Sequence, residues 1–112
     1  MSGPVSRQHE LASLIANTTK AQNTDFLATD FQMKWSGSLC RISVQISSNV
    51  TLSLVPSSGT AIVLNGGTAL AASGLYTFEV ALDQGRTWNL QTSNAAGTTV
   101  HHLVVQEWGI GQ

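Results

Sequence analysis

Glu79 and Asp83 are the first side chains whose types invite chemistry. Paired carboxylates hydrolyse glycosidic bonds when they stand about 5–9.5 Å apart. In GLYTFEVALDQGRTWNLQ, residues 74–91, the two share a strand face, but four residues of strand separate them by about 13 Å. Asp25, Asp30 or Glu107 could approach either one, yet nothing in the spacing predicts it. A solvated or interface role is the better reading, and no catalytic residue is assigned.

His101 and His102 raise a metal site. Neighbours on a strand point to opposite faces, so they cannot hold one ion together unless a bulge intervenes. One is expected near the core with Val104, the other outside with the Leu103 and Val105 row. A metal on the axis of a symmetric oligomer, one histidine from each copy, is the alternative. The chain as a whole is expected to hold no metal and no cofactor. His9 adds nothing visible.

Cys40 is the single cysteine, which excludes an internal disulfide and a four-thiolate metal site. It falls in step with Ile42, Val44 and Ile46, as a small buried hydrophobe would. A nucleophilic thiol or an intermolecular disulfide is the alternative. No GxxxxGK or GxGxxG phosphate loop is present, and the chain is not expected to be an enzyme. Trp88, in phase with Leu90, is a core residue. Trp35 and Trp108 stand near strand ends, where an interface role, stacking on a sugar ring and simple burial are all open.

The elements that would position these residues are nearly all strands. Of 112 residues 10% are charged, against about 25% in ordinary domains, while 42% are apolar. Five basic residues oppose six acidic ones for a net charge of −1. The basic residues are scattered, which argues against a nucleic-acid or anionic-membrane partner. No run approaches the ~20 apolar residues that span a bilayer, and the start carries no secretory signal.

Residues 1–24 read as an N-terminal arm, in which VSRQHELASLIA could form a short helix with Leu11, Leu14 and Ile15 along one side. ANTTKAQNTD is a polar link. From residue 25 to 112 the period is two: DFQMKW, LCRISVQIS, VTLSLV, LYTFEVAL, TWNLQT and TTVHHLVVQEW are strands. TAIVL and TALAA flank Asn65-Gly66-Gly67, a hairpin signal. The opening stretch is a second hairpin, with Trp88 pairing across to Tyr76 or Phe78. About eight closely spaced strands give an all-β fold, a single antiparallel sandwich or jelly-roll-like barrel.

With GLYTFEVAL and its DQG turn, the NLQTS strand and the closing VHHLVVQEW strand, residues 38–108 resemble small β-sandwich structural proteins of tailed bacteriophage virions. These are capsid decoration or cement proteins and related head or tail accessories. An arm before a charge-poor sandwich fits that style. The resemblance implies a non-enzymatic role in the virion after synthesis in the host cytoplasm. Its partners would be copies of the chain, a trimer being favoured, and a major capsid or tail protein. Val5, Leu11, Leu14 and Ile15 in the arm, with Trp108, are the expected interface residues. The alternative is a carbohydrate- or receptor-binding module using Trp35 and Trp108 on a glycan.

Overall fold

A computed structural model describes residues 5–111, with side chains for residues 8–109. Nine strands form two antiparallel sheets packed face to face. The larger runs β1(Val5–Leu14), β9(Thr98–Gly111), β4(Leu39–Ile46), β7(Leu75–Ala81), with β2(Thr18–Lys20) also on β9. The smaller runs β3(Phe31–Gln32), β8(Thr87–Thr92), β5(Leu52–Pro56), β6(Ile62–Val63). The fold is the expected all-β sandwich.

Alternation builds the core. Cys40, Ile42, Val44 and Ile46 of β4, with Leu103 and Val105 of β9, face Leu52 and Leu54 of β5 and Trp88 and Leu90 of β8; all are buried. Phe26, Phe31, Met33, Leu64 and Leu70 close the margins. Burial of a large aliphatic side chain is worth about 1.5–3 kcal/mol, so period-two placement of these residues decides which face of each strand turns inward.

The N-terminal helix is a correction. Residues 5–14 are strand β1, paired antiparallel with β9 from Val5↔Gly111 to Leu14↔Leu103. The register shifts between Glu10 and Ala12, leaving Leu11 as an extra residue. That bulge lets Leu11, Ala12 and Leu14 all pack against the core, and the 11–14 spacing imitates a helical face. The polar link contributes β2, so residues 5–14 and 18–20 are built into the sheet.

Both expected hairpins are also corrected. β7 pairs with β4 in the larger sheet, whereas β8 lies between β3 and β5 in the smaller one. The turn after Leu82 therefore carries the chain across the sandwich. Trp88 sits opposite Phe31 and Pro56, and Tyr76 stacks on Phe78 of its own strand at 6.0 Å. Asn65-Gly66-Gly67 lies in a 3-10 turn, Leu64–Gly67, with φ of 55° at Asn65 and 61° at Gly66. Asn and Gly adopt this positive φ at little cost. The following residues form no returning strand, and Leu70 makes an isolated bridge to Val50.

Candidate functional site: a buried carboxylate under the Trp35 loop

Glu107 lies on the inward face of β9, in step with Leu103 and Val105, and is fully buried. A carboxylate there needs donors on every side. The loop from Met33 to Ser38, between β3 and β4, supplies them. The Lys34 amide donates to both carboxylate oxygens at 2.9 and 3.0 Å, and the Trp35 amide donates to Oε2 at 2.8 Å. The Ser38 hydroxyl lies 2.5 Å from the same oxygen.

β1 closes the fourth side. His9 is the register partner of Glu107, and its Nε2 stands 3.2 Å from Oε1. The approach is off the line of a hydrogen bond, so the contact is electrostatic and gains strength when the ring is protonated. The His9 ring meets Trp35 edge-on at 4.5 Å. Gly109 lets Trp35 lie close to β9, since a Cβ there would stand 3.0 Å from the indole.

Burial alone would raise the Glu107 pKa. The Ser38 hydroxyl, the Trp35 and Lys34 amides and the His9 ring outweigh it and hold the carboxyl below the usual carboxylate range. Cys40, the register partner of Glu107 on β4, moves the other way. Burial, reinforced by the Glu107 charge, pushes its thiol up to about 12. At neutral pH Cys40 is therefore a protonated, buried thiol, in agreement with the hydrophobe reading. Glu107 is an acceptor saturated by its own loop, and its chemistry is to hold that loop and β1 together.

A second buried polar side chain does the same work on the other sheet. Asn89 of β8 accepts from the Leu27 amide at 2.9 Å. Its Nδ2 donates to the Leu27 carbonyl at 3.0 Å and to Asp30 Oδ1 at 2.8 Å. Asn89 thus takes the place of a strand neighbour for the chain between β2 and β3.

The expected site residues disperse. Glu79 is held by Arg41 at 3.0 Å, and Asp83 by Arg86 at 2.9 Å. The Arg86 hydrogen bond holds Asp83 below the usual carboxylate range. The histidine phase needs correction: Leu103 and Val105 form the buried row, and Val104 faces outward with neither histidine in the core. The cause is a bulge, because Gln45 faces His102 while Ile46 faces Val100. His101, the extra residue, is bonded through Nδ1 to Asn17 Oδ1 at 2.8 Å. Among the described residues no group of three or more His, Cys, Asp or Glu side chains is placed to hold a metal.

Of the tryptophans, Trp35 is drawn into the Glu107 cluster. Trp108 lies on the outer face of β9, half-buried, with the Arg41 guanidinium 4.1 Å over its ring. Leu11 and Leu14 pack on the core, and Ile15 is 69% exposed. The Val5 side chain lies outside the described residues. A shallow groove of about 220 Å³ on the outer face of the smaller sheet is lined by Asn23, Ser53, Val55, Ala61 and Gln91 among others.

The sequence reading missed Glu107 and Asn89. For Glu107 the signal was available: it is a charge in phase with an apolar strand row. For Asn89 no local signal exists, because its burial comes from a loop some sixty residues away, bonded to it at Leu27. No family model matches the chain, and no curated protein matches it in sequence. Among the described residues no helix is long and apolar enough to cross a membrane.

Proposed function

We propose that the chain is a non-enzymatic structural protein of a virion, decorating or stabilising a capsid or tail lattice through contacts between copies and with the lattice protein. The observation that carries this reading is the open larger sheet. Its outer strands, β1, β2 and β7, each have one edge without a strand partner among the described residues. An unpaired edge is a row of backbone donors and acceptors ready to add another strand. The charge-poor outer surface supports the same reading, because uncharged polar groups cost less to desolvate in a contact than Lys or Glu. Weak contacts of this kind gain strength when many copies are held together. The resemblance of residues 38–108 to phage head and tail accessory proteins supplies the setting.

The test is an antibody raised against the chain, applied to particles purified from cells that carry its gene. Regular labelling of head or tail in electron micrographs supports the reading. Recovery of the protein solely in the particle-free lysate overturns it.

A further inference from the structure

Among the described residues the sandwich has five outer strands, and four of them are blunted. β2, which lies on β9 beside β1, is three residues long and ends in Lys20. β3 and β6 are two residues long, too short to template a partner. β1 is longer, but it is broken by the bulge between Glu10 and Ala12 and carries the exposed Glu10. Short length, bulges and charge are the usual devices that keep sheet edges from pairing. β7 has no such device. It runs seven residues, Leu75–Ala81, in unbroken register with β4 and contains no proline or lysine. Its one charge, Glu79, is half-exposed and paired with Arg41 at 3.0 Å.

The side chains of β7 also point to a partner. Tyr76, Phe78 and Val80 turn inward but remain half-buried, because the smaller sheet does not fully cover this margin. Leu75, on the outer face, is 65% exposed. A strand that paired here would cover apolar surface as well as backbone.

We propose that β7 pairs antiparallel with β7 of a second copy, about a two-fold axis through Phe78, joining two larger sheets into one. The strand is self-complementary in this register. Phe78 meets its counterpart, Tyr76 meets Val80 and Leu75 meets Ala81, while Thr77 lies opposite Glu79. Aromatic and aromatic–β-branched pairs of this type favour strand association. An axis through Glu79 would set two carboxylates face to face, and one through Thr77 would set Leu75 against Glu79. Complementarity of charge and polarity therefore selects Phe78. A seven-residue edge is about 24 Å long, so the contact is smaller than a standard protein interface and depends on concentration.

The proposal deepens the assembly reading and rests on its premise that copies of the chain meet. Sedimentation velocity of the full chain, from low micromolar to submillimolar concentration, tests it apart from particle labelling. The wild type is expected to pass from monomer to dimer. Leu75→Lys combined with Ala81→Lys places like charges opposite each other twice and should weaken dimerisation about tenfold. Leu75→Lys combined with Ala81→Glu places opposite charges there and should restore it. Both positions are exposed, so near-UV circular dichroism should be the same in all three proteins. A wild type that stays monomeric overturns the pairing, as does a Lys/Lys variant that associates like the wild type or a Lys/Glu variant that does not recover. Labelled particles combined with any of these results leave the virion reading standing and remove β7 as the contact.

Discussion

Glu107 and Asn89 grip the same stretch of chain, residues 26–38, from opposite sheets, and they grip it differently. Asn89 has both donor and acceptor, so it bonds the amide and the carbonyl of Leu27 as a neighbouring strand would. Glu107 only accepts, so it gathers the Lys34 and Trp35 amides and the Ser38 hydroxyl at a turn where several donors converge. An amide suits an extended segment with alternating groups. A carboxylate suits a turn whose donors point one way, and it brings a charge and a dependence on pH.

Exchanging the chemistry at one position is the most severe way to break this comparison. Asn89→Asp would set a buried carboxylate against the Leu27 carbonyl and Asp30, with no donor replacing Nδ2. A loss of about 3–5 kcal/mol is expected at neutral pH. Its pKa in the folded state would be raised, so the variant should regain stability as pH falls. Chemical denaturation at neutral and mildly acidic pH measures both.

Glu107→Ala comes next. It leaves two amides and a hydroxyl without their acceptor and should cost about 3 kcal/mol, read from the same denaturation midpoints. Glu107→Gln keeps the shape but turns a donor toward donors, and should fall between Glu107→Ala and the wild type.

The comparison is sharpened by pH. The folded-state pKa of Glu107 is depressed, so its contribution is fully present above the ordinary carboxylate pKa of about 4.3 and fades as pH falls through the folded value. The stability gap between wild type and Glu107→Gln should therefore narrow below about pH 4. A gap that held constant would mean that Glu107 is not the ionised acceptor. Asn89→Ala should show a gap that hardly changes over the same range, since no titrating group is removed.

The smallest effect is expected on the outer face. Arg41→Ala removes the half-exposed pairing with Glu79 and the cation over Trp108. About 1 kcal/mol or less is expected from such contacts, with a shift in tryptophan emission as Trp108 loses its cover.

Strands such as β4, β5 and β9 were readable because one buried face imposes period two on Cys40–Ile46, Leu52–Leu54 and Leu103–Glu107. The choice of sheet was not, since β7 and β8 each present an apolar face whether they pair with each other or face one another across a core. β1 was hidden by its bulge, which put Leu11 and Leu14 at helical spacing. The histidine phase failed for the same reason at His101. At the carboxylate site, Glu107 could be placed on the inner row of β9. Its partners could not, because Lys34, Trp35 and Ser38 reach it through a loop whose path depends on the whole sandwich.

The β1–β9 ribbon has a mechanical consequence. Val5 and Gly111 are register partners, so a load applied across these two ends does not shear the ribbon along its length. It peels the strands apart like a zipper, straining one hydrogen-bonded rung at a time. The first obstacle on that path is the His9–Glu107 rung, anchored to the Trp35 loop, four positions in from Val5. Tension across the ends should thus open the ribbon's tip at low force and stall at the buried carboxylate, making Glu107 the stop that protects the sandwich from unravelling.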